Sequence, residues 1–286
     1  MTKGLDKNCV VTYLYPNCER YLKNFILNLE SQSIQNFEVL FFCDNYSFNK
    51  KKFKTKLNFK CFKIKGKIPE IRYKSLHKIS KLNYSKIYFC DVDDIYKINR
   101  LEILSKLLDK NKVVFNDFDC INKKNELIKK NYFFFFFKNN KIINSKNLYH
   151  QNFLGFGNTA IKNDILKKIN FLNLKKNVYP YDWYIFSYIL IEYEARFTNK
   201  TKTYYKINSK SFTRLPIKLT SEYLAHSAIV KFNFYNNMKR HGKIYEKMYL
   251  KYLDLIKNKT KFSKLKKFII LNNKKTNFSW WGGIKL

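Results

Sequence analysis

Three carboxylates crowd into four residues at Asp91-Val92-Asp93-Asp94, directly after the apolar run Ile87-Tyr88-Phe89-Cys90. The chain has 21 acidic residues against 57 basic ones, so this is a dense use of a scarce type. Like charges at this spacing repel strongly, and a divalent cation is the simplest agent that offsets the repulsion. In an extended Asp91-Val92-Asp93 segment the outer carboxylates share one face while Val92 points away. Two carboxylates then approach one ion together. The competing reading is a polar turn that closes a strand, since Asp favours turns, and the short pattern alone leaves the two about even.

Another acid, Asp182, stands in Pro180-Tyr181-Asp182-Trp183, at the head of a segment (Tyr184 to Tyr193) apolar almost all round. Such a segment reads as a core helix, and a carboxylate in its first turn is, taken alone, most simply a cap stabilised by the helix dipole. Between Gln151 and Ile161 a loop carries Gly155 and Gly157. Their presence fits either backbone geometry or the close approach of a ligand to the main chain.

These residues need a frame, and the first half of the chain supplies one by alternation. Val10-Val11-Thr12-Tyr13 predicts a strand, Asn17 a helix N-cap, and Leu22, Phe25, Ile26 and Leu29 a core-facing helical stripe. Strands over Phe37–Cys43 and Cys61–Ile64 follow, then a helix from about Ile71 to Leu82, the acidic strand end, and a helix marked by Leu101, Leu104, Leu107 and Leu108. Short, largely apolar strands, Phe37–Cys43 interrupted only by Glu38, alternate with helices and predict an α/β sheet covered on both faces. In such sheets ligands bind beyond the carboxyl ends of the strands, where Thr12, Asp44 and Asp91 all fall. Further on, Val113–Phe115 predicts a strand closed by Asn116-Asp117. Tyr132 with the five phenylalanines to Phe137 predicts a strand buried on both faces, followed by a turn at Lys138–Lys141 and a return strand at Ile142-Ile143. A strand ending near Ile161 leads into a helix from Asp164.

Beyond Ser209 the character changes: Ser221 to Lys257 reads as one or two basic amphipathic helices, and the chain ends in Phe278-Ser279-Trp280-Trp281-Gly282-Gly283. The paired tryptophans suit either a membrane interface or packing back onto the protein. His226 and His241 read as surface or packing residues. The expected division is a catalytic domain over 1–215 and a helical basic C-terminal extension over 216–286.

The net charge of +36 constrains partners. Only six basic residues are arginine, leaving 51 lysines, whereas bidentate readers of phosphate and base edges are usually arginines. Attraction to anionic lipid, nucleotides or nucleic acid remains the physical consequence. Six scattered cysteines, none paired at metal-ligand spacing, and no leader-like apolar segment after Met1 lead us to expect a reducing, cytoplasmic location. No apolar run reaches membrane-spanning length.

In their order, the motifs resemble the family 2-type glycosyltransferases. Thr12, Pro16, Tyr21-Leu22, Gln32-Ser33-Ile34-Gln35-Asn36-Phe37-Glu38 and Cys43-Asp44-Asn45-Tyr46-Ser47 are similar to that family's opening. Arg72 stands where the family carries an arginine, Asp91-Val92-Asp93-Asp94 resembles its metal-binding acidic element, and Tyr181-Asp182-Trp183 its later acidic motif. Tyr204-Tyr205-Lys206-Ile207 to Ser211 is similar to the basic and aromatic strand that follows, so the likeness spans about Val10 to Arg214. Departures are Asn45 and Tyr46 in place of a second Asp and a Gly, Tyr181 in place of an acid, and a longer first loop.

The resemblance implies a GT-A fold: a Rossmann-like, nucleotide-binding mixed sheet flanked by helices. It implies transfer of a hexose or N-acetylhexosamine, with inversion, from a nucleotide-sugar (a UDP-sugar first) to a hydroxyl of a glycan or lipid-linked acceptor. Bacterial surface polysaccharide or lipooligosaccharide synthesis is the expected setting. By this resemblance Asp182 is the catalytic base, and Asp91 and Asp93 hold Mn2+ or Mg2+. The nucleotide and donor side is Thr12, Asp44, Asn45, Arg72, Asp91, Val92, Gly157 and Asn158, with nearby lysines assisting Arg72 at the diphosphate. The basic tail would rest on the anionic inner membrane face. The rival readings are a nucleic-acid-binding protein, which the acidic cluster disfavours, and an inactive scaffold of the same shape.

Overall fold

The computed structural model describes residues 7–134, 136–137, 141–207 and 221–272. Strand β1 (Asn8–Leu14) leads into α1 (Glu19–Glu30), which turns Leu22, Phe25, Ile26 and Leu29 inward. Then come β2 (Phe37–Asp44), β3 (Phe59–Ile64) and α2 (Ile68–Ser80), which begins two residues after the break at Gly66 and carries Pro69 in its first turn. β4 (Lys86–Phe89), β5 (Ile95–Tyr96), α3 (Arg100–Lys110) and β6 (Val113–Ile121) follow. β7 (Leu127–Lys129) and β8 (Ile142–Ile143) are short, and β9 (Thr159–Lys162) runs directly into α4 (Asn163–Lys168). α5 (Tyr181–Ile189) precedes the long β10 (Ala195–Lys206), and α6 (Ser221–Met238), α7 (Lys243–Lys257) and α8 (Lys259–Asn272) complete the described chain.

The strands form one mixed sheet in the order β3-β2-β1-β4-β9-β6-β10-β5, with β7 on β6 and β8 on β10. β3, β2, β1 and β4 are parallel, β9 is antiparallel to both neighbours, and β10 is parallel to β6. Pleating sorts the apolar residues onto two faces. Val10, Val39 and Tyr88 lie side by side in register and pack with Leu22, Phe25 and Leu104 under α1 and α3. Val11, Leu40 and Phe89 face the other way, toward Ile71, Ile165 and Trp183 of α2, α4 and α5. This is the covered α/β sheet that the alternation predicts.

Four local expectations are corrected. Asn17 is not the cap of α1: it turns the chain at φ 68°, and Cys18 takes the N-cap position. β6 does not stop at Phe115, because Asn116 and Asp117 are buried within it and hydrogen-bonded rather than turned to water. The described residues of the phenylalanine run form a turn rather than a strand: Tyr132, Phe133 and Phe137 are buried while Phe134 and Phe136 are exposed. Carboxylates of β6 hold it there, Asp119 accepting from the Asn131 amide at 2.7 Å and Asp117 from the Phe133 amide at 2.7 Å. Asp91–Asp94 is likewise a turn, closed by the Asp94 amide on the Asp91 carbonyl at 3.3 Å, so Asp91 and Asp93 do not share a face by strand alternation.

The C-terminal helices pack on α5, where Trp183 stacks on Phe234 of α6 with ring centres 3.9 Å apart and planes 13° apart. Leu224, Phe234, Tyr245 and Tyr252 join the same core as the sheet. His226 is exposed, and His241 packs edge-on against Tyr188. The expected boundary at 215/216, residues Ser209 to Arg214, the turn at Lys138–Asn140 and the Trp280-Trp281 end lie outside the described residues. Among the described residues no helix is long and apolar enough to cross a membrane.

Candidate active site

A cavity of about 960 Å³ opens beyond the carboxyl ends of β1, β2 and β4, at the upper end of the usual range for ligand sites. Its lining holds six acids (Glu19, Asp44, Asp91, Asp93, Asp94, Asp182) and two cations (Arg20, Arg72). Among the described residues no lysine lines it. The expected lysines beside Arg72 are thus not found among the described residues, whose lysines lie outside the lining.

The acidic turn forms one wall. Asp94 is buried: its Oδ1 accepts from the Lys206 amide at 3.0 Å, and its Oδ2 has no hydrogen-bond partner. Burial, then the charges of Asp93 and Asp91, push the Asp94 carboxyl well above the usual range. The Tyr96 hydroxyl donates to the Asp91 carbonyl at 2.8 Å and fixes the start of the turn. Across from it, Arg72 of α2 brings Nη2 to 3.5 Å from Asp91 Oδ1. Its guanidinium lies 3.4 Å from the ring centre of Tyr13 and 4.7 Å from that of Phe156, and Nη1 is buried with no partner. Stacked in this way, the cation is held in place before any ligand arrives.

The 155–158 loop joins this wall to the second acid. A Cβ placed on Gly157 would come within 2.7 Å of Asp94 Oδ2, and one on Gly155 within 3.7 Å of Asp182 Oδ2. Asn158 shapes the loop from inside: Oδ1 accepts from the Gly155 amide at 2.7 Å, and Nδ2 donates to the Phe153 and Asn116 carbonyls at 3.0 and 3.2 Å. The Gly157 carbonyl accepts from Thr203 Oγ1 at 2.9 Å and Arg100 Nη2 at 3.3 Å. Arg100, fully buried, also donates to Asn116 Oδ1 at 2.8 Å and the Phe89 carbonyl at 3.1 Å. One side chain thus ties the end of β4, β6 and the glycine loop together. Reading the sequence for site residues passed over Arg100, Asn116 and Thr203. A single arginine at a helix start in a lysine-rich chain was the one available signal.

Asp182 occupies the first turn of α5, after a cis Tyr179–Pro180 bond, and its Oδ1 accepts from the Trp183 amide at 2.8 Å. Burial raises its carboxyl to about 6, against lowering by that amide and by Arg72 and further raising by Asp91. The group is thus both a first-turn carboxylate and part of the cavity wall.

Of the residues expected to form the site, Asp44, Arg72, Asp91, Asp93, Gly157, Asn158 and Asp182 line the cavity, and Thr12, Asn45 and Val92 do not. β1 continues two residues past Thr12, leaving its side chain fully buried in mid-strand. Asn45 turns outward at φ 47° and is exposed, while Val92 packs into the core beneath α1 and α3.

Among the described residues no group of three or more His, Cys, Asp or Glu side chains is arranged to enclose a metal ion. The acidic turn still fits a divalent cation of the kind that takes one or two carboxylates and fills its shell with substrate phosphate. The orphaned oxygen of Asp94 and the mutual repulsion of the three acids are the observations that favour this fit.

Neither a protein-family model nor a curated protein matches the sequence. Solved structures do. Staphylococcus aureus TarS 1-349 in complex with UDP-GlcNAc superposes with a TM-score of 0.58 at 14% identity, over 86% of this chain and 71% of that one. GalNAc-T7 with UDP, GalNAc and Mn2+ superposes with a TM-score of 0.54 at 11% identity, over 83% of this chain and 48% of that one. Both are glycosyltransferases.

The fold is GT-A. The chain spans only 39% of the longer TarS structure and about half of GalNAc-T7, so the GT-A unit is what they share. In this GT-A frame the cavity sits where open α/β sheets bind ligands.

Proposed function

We propose that the chain is an inverting glycosyltransferase of the family 2 type, which transfers a hexose or N-acetylhexosamine from a nucleotide-sugar to a hydroxyl of a glycan or lipid-linked acceptor. The observation that carries the reading is the pairing of two acidic stations in one cavity, the Asp91–Asp94 turn and Asp182, joined by the Gly155–Gly157 loop. The TarS complex with UDP-GlcNAc and the GalNAc-T7 complex with UDP support a UDP-sugar as the first donor to test.

The acceptor hydroxyl is a poor nucleophile and loses its proton as its oxygen bonds to the anomeric carbon. Asp182 takes that proton: a carboxyl near 6 is ionised at neutral pH yet basic enough to share it. As the new bond forms, the bond from the anomeric carbon to the diphosphate breaks on the opposite side, which inverts the centre. Arg72, held between Tyr13 and Phe156, faces the charge gathering on the diphosphate. Asp91 and Asp93 would hold Mn2+ or Mg2+, which when bound neutralises the leaving group. Asp44 and the glycine loop line the nucleoside and sugar ends of the donor. The nucleic-acid reading loses support, because six carboxylates in the cavity repel phosphates and no described lysine lines it.

We place the work at the cytoplasmic face of a bacterial membrane, in surface glycan synthesis, with the basic helices against anionic lipid. The test of the reaction is transfer from an α-linked UDP-sugar to membrane-extracted glycan acceptors, with the product anomer read by NMR. A β-linked product supports the reading, and an α-linked product overturns inversion.

A further inference from the structure

Helices α7 and α8 carry nine lysines against two acids between Lys243 and Asn272. Their inward sides are spoken for, since Tyr245, Tyr252, Leu255 and Ile269 join the core. The outward sides combine charge with large apolar tips. Leu250 is 56% exposed and Phe268 64% exposed, among the largest exposures of apolar side chains in the described residues.

Helical geometry puts each tip inside a lysine stripe. At 3.6 residues per turn, Lys243 and Lys257 fall within about 20° of Leu250, and Lys247 within about 60°. On α8 the same count puts Lys261 about 20° and Lys264 about 40° from Phe268. All of these lysines are exposed. The two stripes meet, because Lys261 Nζ of α8 pairs with Asp254 Oδ2 of α7 at 2.5 Å, and Asp254 lies one turn beyond Leu250. None of these residues lines the cavity.

We propose that the outward faces of α7 and α8 form one docking surface for anionic lipid, in which lysines meet headgroups while Leu250 and Phe268 enter the acyl boundary. It specifies the membrane contact of the reading above but stands on the α7–α8 faces alone. Anionic lipid is favoured over nucleic acid by two features. The surface is built from lysine, a point charge, with no arginine between Lys243 and Asn272, and one of its two apolar tips is the aliphatic Leu250, which suits an acyl boundary and offers no ring for a base to stack on.

The test is co-sedimentation of the full chain with vesicles of phosphatidylcholine alone and with 30% phosphatidylglycerol. The expected result is at least tenfold tighter partitioning to the anionic vesicles, weakened by 0.5 M salt. Lys247→Glu/Lys264→Glu is expected to weaken it tenfold or more. Leu250→Ser/Phe268→Ser is expected to remove the salt-resistant remainder, with the melting temperature of each variant checked against wild type. Equal binding to both vesicle types overturns the proposal, as does unchanged binding by both folded variants. Displacement from anionic vesicles by equimolar single-stranded DNA also overturns it, assigning the face to nucleic acid. The UDP-sugar response of these variants is measured in parallel. Lost vesicle binding with that response intact separates this surface from the cavity, and a failed lipid test removes the membrane contact while leaving the transfer reaction standing.

Discussion

Gly157 lies directly against Asp94: a methyl group at residue 157 would come within 2.7 Å of Asp94 Oδ2 and 3.2 Å of Asp91 Oδ2. The contact cannot relax easily, because Arg100 and Thr203 hold the Gly157 carbonyl from behind. The acidic turn and the loop toward Asp182 are therefore packed without room for a side chain between them. Gly157→Ala is expected to lower donor affinity about tenfold or more, while destabilising the fold by ~1–3 kcal/mol, the usual effect of overpacking. Calorimetric titration of the nucleotide-sugar and a denaturant melt measure the two effects separately.

Arg100 is the buried clasp of the same assembly. Arg100→Met leaves Asn116 Oδ1 and the Phe89 and Gly157 carbonyls short of a donor, and the expected destabilisation is ~2–4 kcal/mol. Arg100→Lys is expected to recover little, since an ammonium cannot span three acceptors with a planar fork. Thermal denaturation of both variants checks this.

The Asp182 carboxyl titrates near 6, above its ordinary 3.8, so the folded protein holds that proton more tightly than the unfolded chain does. Its stabilising contribution is present while both states are protonated and is lost as pH rises through about 4 to 6. Asp182→Asn is thus expected to raise stability at pH 7.5 by on the order of 1 kcal/mol, with the gain vanishing by about pH 4. The same carboxyl must be ionised to accept a proton, so transfer is expected to rise with pH through about 6 and to fall at least a thousandfold in Asp182→Asn. Melts and initial rates across the pH range test both halves.

Phe234 of α6 stacks on Trp183, the neighbour of Asp182, which makes the helical extension part of the site's support. Phe234→Ala is expected to destabilise by ~3–5 kcal/mol and to melt in a single transition. A separate low-temperature transition for the helices would instead mark them as an independent unit.

How much was legible in the sequence follows local physics. The covered sheet was readable because Val10-Val11, Phe37–Cys43 (Glu38 apart) and Ile87–Phe89 are apolar on both pleat faces, as doubly buried strands are. The phenylalanine run misled for the same reason: its turn depends on Asp117 and Asp119, twelve or more residues upstream, which no local pattern reveals. Thr12 was misplaced by two residues of strand length, enough to move it from the cavity rim to the core. The Arg100–Asn116–Thr203 clasp joins residues up to 103 positions apart, and such long-range polar contacts leave no periodic trace.

The most direct measurement of the central claim is a thermal melt of the full chain with UDP-, GDP- and CMP-sugars, with and without Mn2+. One nucleotide-sugar is expected to raise the melting temperature only with the metal present, in wild type and in Asp182→Asn but not in Asp93→Ala. A chain that ignores every nucleotide-sugar with Mn2+ present, yet is stabilised by single-stranded nucleic acid, would contradict the account.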